Sequence, residues 1–206
     1  MVQQPSPTAG LRITAAVPNT PLTLLEMQGR EALSLPYHYR LTLRVPIANR
    51  VSADDLIGKS AHISFDIPNS ALNAAKAIVS AANGDSASSD SRIPTPPSTR
   101  DLCGLLTSVQ YLGADDAEHH LTAILRPRFW TLSLSKRYRA FHDKTTKQIA
   151  NTVLNPLPIR WDLQQTLSSR NYCVQYGESD LDFLTRLFAE DGLTYWFEHQ
   201  YSGQAT

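Results

Sequence analysis

Apolar residues take every second position over two early stretches. Leu11, Ile13, Ala15 and Val17 form the first, and Tyr37, Tyr39, Leu41, Leu43 and Val45 form the second. A period of two places alternate side chains on one face, so both stretches predict half-buried strands, with a third strand over residues 61–67. Breakers at Pro18-Asn19, Gly29, Pro46 and Gly58 fall between these runs, as short turns do in an antiparallel barrel or sandwich. Alternation resumes over residues 105–112, turns through Gly113-Ala114-Asp115-Asp116 and returns over 119–125, which predicts a hairpin.

Between residues 68 and 100 the texture changes twice. The segment ALNAAKAIVSAA, with Asn69 or Ser70 as N-cap and Gly84 beyond its end, predicts a short helix. The following GDSASSDSRIPTPPST is too rich in Ser, Pro and Asp to bury a core and predicts a mobile loop. Together they make an insertion, about 69–100, between two strands. After Trp130 the pattern turns helical: Thr145 and Gln148 have capping-box spacing, Ile149 and Val153 lie four apart, and Asn155-Pro156 ends the segment. Pro156 and Pro158 begin a linker, and residues 171–176 predict a strand.

A second helix follows, with Ser179 as its cap and Asp182 three positions on. Leu181, Leu184, Leu187 and Phe188 form its apolar stripe, and Gly192 stands just past its end. Residues 193–197, with Thr194 among aromatics, predict a strand that opens a hairpin. The closing Gln204-Ala205-Thr206 offers no natural end, so a piece of a longer chain is expected. The expected architecture is α+β and β-rich: an antiparallel β-barrel over 11–130, a small α+β domain over 131–192, and over 193–206 the start of a truncated strand or hairpin.

Composition narrows the function classes. The 206 residues are 42% hydrophobic and 18% charged, as in ordinary globular proteins. Lys plus Arg and Asp plus Glu both number 19, so no net field draws the chain to nucleic acid or an anionic membrane. Cys103 and Cys173 alone make neither a disulfide framework nor a paired-cysteine metal site, which fits a reducing cytoplasm. MVQQPSPTAG lacks the charged and apolar regions of a signal peptide, and no run of ~18 apolar residues predicts a membrane span.

The stretch YCVQYGESDLDFLTRLFAEDGLTYWFEH, residues 172–199, resembles the signature block of the VgrG family of type VI secretion spike proteins. Gln175, Tyr176, Glu178, Ser179, Asp180, Phe183, Arg186, Leu187, Gly192, Tyr195 and Phe197 stand where the family pattern has them. EALSLPYHYRLTLRV, the following Leu56-Ile57-Gly58-Lys59, and GLLTSVQYLGADDAEHHLTAILRPRFWTLSL are similar in order and spacing. The insertion departs from the family's usual short connection; a surface turn accommodates such a loop at modest entropic cost.

The resemblance implies a phage tail hub-like fold. In that arrangement two alike barrels in each of three subunits make a pseudo-sixfold ring that meets a hexameric tube protein. It implies a homotrimer in the full-length protein, with the tube, baseplate components and, through regions beyond this one, effectors or adaptors as partners. It implies no cofactor and no metal. Localisation would be cytoplasmic before assembly, then translocation by the contractile machine without a signal peptide. A phage tail baseplate hub or late control protein shares the fold and is the nearest alternative.

Candidate chemistry competes with plainer readings. His119-His120 are adjacent in a strand and point to opposite faces, which does not suit one metal ion. His142-Asp143 offers an acid–base couple, yet Asp143 is equally explained by the field of a helix N-terminus. Glu178, Asp180, Asp182, Glu190 and Asp191 cluster around one helix, and paired carboxylates cleave glycosides, so a cell-wall hydrolase acting through residues 178–198 is the reading from another class. Capping accounts for the first three, and Arg186 is placed to offset Glu190 and Asp191 at the negative helix end. Tyr195, Trp196 and Phe197 suit core packing in a neutral chain better than base stacking.

Overall fold

The computed structural model describes residues 12–15, 21–49, 51–67 and 99–199. The expected helix and the mobile loop of the insertion up to residue 98 lie outside the described residues, while Thr99 and Arg100, expected within the insertion, already belong to a strand. The chain divides into two compact units, one holding Arg40–Ile124 and the chain up to Met27, the other holding Gln28–Tyr39 and Leu125–Glu198.

A curled antiparallel sheet of six strands makes up most of the first unit and also includes residues 28–39, which are counted with the second. The strands are β1 (Arg12–Ala15), β2 (Thr23–Ala32), β3 (Leu35–Pro46), β4 (Ser60–Asp66), β5 (Thr99–Ala114) and β6 (Glu118–Arg126), in the order β1-β4-β5-β6-β3-β2. Alternation decides which face is buried: Leu41, Leu43 and Val45 of β3 are inside, as are Ile63 of β4, Leu102 and Leu106 of β5, and Leu121 and Ala123 of β6. Each such aliphatic side chain contributes roughly 1.5–3 kcal/mol by leaving water. The β5–β6 hairpin turns at Asp115, whose Oδ1 accepts from the amides of Ala117 (2.9 Å) and Glu118 (2.8 Å).

Two features differ from expectation. A helical turn, α1 (Ala53–Leu56), opens on a capping box in which Ser52 and Asp55 satisfy each other's backbone amides, and it buries Leu56. Its signal, S-x-x-D, stands in the sequence as SADD. Gly29 is not a breaker but lies within β2. There a Cβ would fall 2.2 Å from the carbonyl oxygen of His38 and 2.4 Å from the Tyr39 ring, so glycine permits a close strand approach.

The second unit is built on a two-stranded antiparallel ribbon, β7 (Lys136–Thr145) and β8 (Ser169–Ser179), with helices α2 (Thr146–Leu154) and α3 (Asp180–Glu190). After Trp130 the structure departs from the expected helical pattern. Arg128–Ser133 form a 3-10 turn, and the chain becomes a strand before the Thr145–Gln148 capping box opens α2. Arg137, Arg139 and Phe141 alternate with Tyr138, Ala140 and His142, a two-residue period with a charged inner side that masks the strand signal.

Ile149, Val153, Leu154, Cys173, Phe183, Leu184, Leu187 and Phe188 close the core of this unit. Residues 193–197, expected as a strand, form none. The Ser34 amide donates to the Tyr195 carbonyl at 2.8 Å, and the Tyr195 amide donates to the Ser34 hydroxyl at 3.4 Å. Among the described residues no helix is long and apolar enough to cross a membrane.

Candidate functional site

The signature residues fall on one continuous path from β8 through α3 to the segment after it. Gln175 on β8 is fully buried, a costly place for an amide unless both of its ends are bonded. Its Nε2 donates to Asp180 Oδ1 at 2.8 Å and to the Glu178 carbonyl at 3.2 Å, and its Oε1 accepts from Arg139 at 3.4 Å.

Ser179 caps α3, accepting from the Asp182 amide at 3.1 Å and donating to the Asp182 carboxylate at 2.7 Å. Asp180, first residue of the helix and only 5% exposed, benefits from the positive end of the helix dipole. Arg139 Nη1 lies 3.1 Å from one of its oxygens and Arg137 Nε 3.5 Å from the other. A buried carboxylate so paired is compensated rather than poised.

A glycine bulge sets up the second cluster. Gly177 (φ +65°) sits where the register shifts between Arg137↔Glu178 and Tyr138↔Tyr176. The extra residue re-aims Glu178 toward α3. Arg186 Nη2 meets Glu178 at 2.6 Å and the Val174 carbonyl at 3.2 Å, while its Nη1 meets Glu190 at 3.1 Å. The hydrogen bonds that Arg186 donates to Glu178, and then those to Glu190, outweigh burial and hold the guanidinium protonated far above its ordinary range.

Arg170 completes the set, donating to Glu190 at 2.6 Å, Asp191 at 2.5 Å and the Thr146 hydroxyl at 3.2 Å. Burial acts against the charged form of Glu190, but Arg170 and Arg186 outweigh it and lower its pKa. The expected role of Arg186 therefore holds for Glu190, whereas Asp191 belongs to Arg170.

The remaining signature residues pack. Phe183 is fully buried and stacks on Phe141 with centroids 5.8 Å apart, under the Arg186 guanidinium at 5.4 Å. Leu187 lies in the same core. Gly192, with φ +67°, takes the left-handed position that follows a helix. Tyr195 and Phe197 join Phe129, Phe188 and Tyr37 in an aromatic cluster with centroids 5.3–5.9 Å apart. Tyr176 points the other way and is 79% exposed.

Residues weighed for chemistry are dispersed. His120 pairs with Asp115 at 3.0 Å, while the His119 ring lies against Tyr111 at 5.8 Å, so the two neighbours serve different partners. His142 packs on Tyr172 at 4.8 Å, and Asp143 takes a positive φ of 48° inside β7, short of the α2 terminus. Among the described residues no group of three His, Cys, Asp or Glu is arranged to hold a metal ion. A shallow depression lined by Asn151, Thr152, Asn155, Pro156, Leu157 and Ile159 contains no carboxylate. Sequence reasoning missed Arg137, Arg139 and Arg170. The first two stand two apart on β7, a signal hidden by reading that segment as helical.

This arrangement joins a curled sheet to a ribbon-and-helix unit whose acidic helix is clamped by arginines. The sequence profile of the phage tail baseplate hub (GPD) family matches residues 30–206. The chain belongs to that family. The type VI secretion system spike protein VgrG1b of Pseudomonas aeruginosa is 28% identical over 185 residues, covering 88% of this chain and 21% of the spike protein. VgrG1a from the same organism is 26% identical over 183 residues, covering 87% and 24%. The actin cross-linking toxin VgrG1 of Vibrio cholerae is 38% identical over 98 residues, covering 45% and 9%.

This chain of the baseplate hub family thus spans between about a tenth and a quarter of the length of these relatives. Among solved structures, the E. coli c3393 protein shares the fold with a TM-score of 0.65 at 22% identity, over 87% of this chain and 43% of that one. It is a component of the type VI secretion system with structural similarity to the T4 bacteriophage tail proteins gp27 and gp5. These similarities support the resemblance to VgrG proteins drawn from residues 172–199.

Proposed function

We propose that this chain is the hub segment of a type VI secretion spike, a structural part that joins a trimeric base to the hexameric tube. The family match running from residue 30 to 206 carries the reading, because it covers both units and not an isolated motif. Spike proteins among the relatives favour the secretion machine over a phage tail, where the same fold serves as baseplate hub. The signature residues act in architecture. Gln175, Ser179 and Asp180 lock the β8–α3 corner, Glu178 and Arg186 lock the helix to the ribbon, and Phe183 and Leu187 fill the core.

No turnover and no cofactor belong to this reading. The carboxylates of residues 178–191 meet arginines or a helix cap, an arrangement that spends their charge on the fold. A hydrolase needs two of them free and facing a sugar ring. The parent protein waits in the cytoplasm and leaves with the contractile machine, and effectors or adaptors attach through its other regions.

The test mixes the full-length parent protein with purified hexameric rings of its cognate tube protein and follows them by analytical ultracentrifugation and electron microscopy. Threefold-symmetric caps seated on the rings are expected. Separate sedimentation at micromolar concentrations of both would overturn the assignment.

A further inference from the structure

We propose that His199 is a proton-sensitive latch, which holds the chain at that point on strand β5 while its imidazole is neutral and releases it once the ring is charged. His199 counts with the first unit, as β4 and β5 do, and its Nδ1 accepts from the backbone amide of Cys103 at 3.1 Å. A ring nitrogen that accepts carries no proton, so this bond exists only in the neutral ring with its hydrogen on Nε2. The proton that charges the ring enters at Nδ1, and there it faces an N–H instead of a lone pair.

The position on the strand explains why a side chain serves there. Amides alternate in direction along a strand, and that of Leu106 donates to the Lys59 carbonyl at 3.0 Å on the β4 side. Cys103, an odd number of residues away, turns its amide to the opposite edge. β5 has sixteen residues and β6 nine, and the two meet in the turn at Asp115, so Cys103 lies beyond the end of β6. The imidazole takes the place of a strand partner at an edge that β6 does not reach.

The neighbouring groups set the window of pH. Cys103 is paired with His62 across the β4–β5 boundary, and Asp101 stands two positions along on the same face. His62 Nε2 lies 2.7 Å from Asp101 Oδ1, and that bond, then one from Ser64, holds the Asp101 carboxyl below its ordinary range. Burial, then Asp101, pushes the Cys103 thiol up, so it stays uncharged. Arg100 stands on the other face of β5, and Glu198, next to His199 in the chain, is engaged by Arg160 at 2.6 Å. Acid therefore acts in opposite senses on the two histidines. A proton on His62 turns its bond to Asp101 into an ion pair, whereas a proton on His199 breaks its bond to Cys103. An unperturbed imidazole charges near pH ~6.5, and a depressed carboxyl such as Asp101 supports the fold above about 3.9, so between the two values the β4–β5 pairing is kept and the latch is open.

The experiment follows amide hydrogen exchange and the histidine ring nitrogens by NMR in the whole 206-residue chain, at about pH 7.5 and at about pH 5. At the higher pH His199 is expected as the Nε2–H tautomer with the Cys103 amide protected. At the lower pH that protection, corrected for intrinsic exchange, should fall about three- to tenfold, while the Leu106 amide keeps its own. In His199→Gln, whose side-chain oxygen accepts at either pH, Cys103 should stay protected at both. In His199→Leu it should exchange freely at both, and His62→Asn should keep the wild-type response. An Nδ1–H tautomer at the higher pH, equal protection of Cys103 at the two pH values, or a parallel fall at Leu106 would overturn the proposal. So would full protection in His199→Leu, a response that survives in His199→Gln, or one that vanishes in His62→Asn.

Discussion

The two units stabilise their strands by different means. In the six-stranded sheet one face is closed by aliphatic side chains at alternate positions, and polar contacts such as His62–Asp101, Arg44–Glu118 and Asp115 under the β5–β6 hairpin add to it. The β7–β8 ribbon has only two strands, too few to close a core alone, so it leans on α2 and α3 and adds arginine–carboxylate clamps at their corners. A broad sheet achieves register through hydrophobic alternation, whereas a narrow ribbon needs specific polar contacts to fix the helix that covers it.

That contrast can be broken first at the core. Phe183→Ala removes the ring that joins ribbon to helix and is expected to cost about 3–5 kcal/mol in chemical denaturation, with loss of near-ultraviolet circular dichroism from the Phe141 stack. A cost below about 1 kcal/mol would show that α3 does not close this core. Gly177→Ala sharpens the comparison at the bulge, because a side chain there meets both a positive φ and the Tyr138 hydroxyl. A loss of about 1–2 kcal/mol is expected, with weakened coupling between Glu178 and Arg186 in a double-mutant cycle.

The smallest effect belongs to the sheet. Backbone amides of Ala117 and Glu118, then His120, hold the Asp115 carboxyl down at a pKa of about 2. A depressed carboxylate stabilises the fold above its unfolded value of roughly 3.9, and that contribution is lost as pH falls toward about 2. Carboxyl-carbon titration by NMR should therefore find Asp115 still ionised near pH 3. A midpoint close to 4 would remove the turn hydrogen bonds from the account.

Much of the fold was legible because alternation is a local signal. Tyr37, Tyr39, Leu41, Leu43 and Val45 are the residues β3 buries, and both helix caps, Thr145 and Ser179, are where their spacing puts them. β7 was hidden because its inner face holds Arg139 and its outer face Tyr138 and His142, which inverts the usual polarity of a strand. Gly29 reads as a breaker until the strand across from it is known. The acidic series of the site could be counted in the sequence, but its arginine partners could not, since Arg137, Arg139 and Arg170 come from strands paired through tertiary structure.

Whether those carboxylates hold the fold together or perform a reaction is decided most directly at Asp180. Residues kept for chemistry are commonly neutral or stabilising to remove, whereas a buried structural partner is costly. Urea unfolding of Asp180→Ala should show a loss of about 1–3 kcal/mol, because Arg139 and Gln175 would be left half-satisfied. A variant as stable as the parent chain, or more so, would contradict the architectural role and return the acidic helix to the candidates for catalysis.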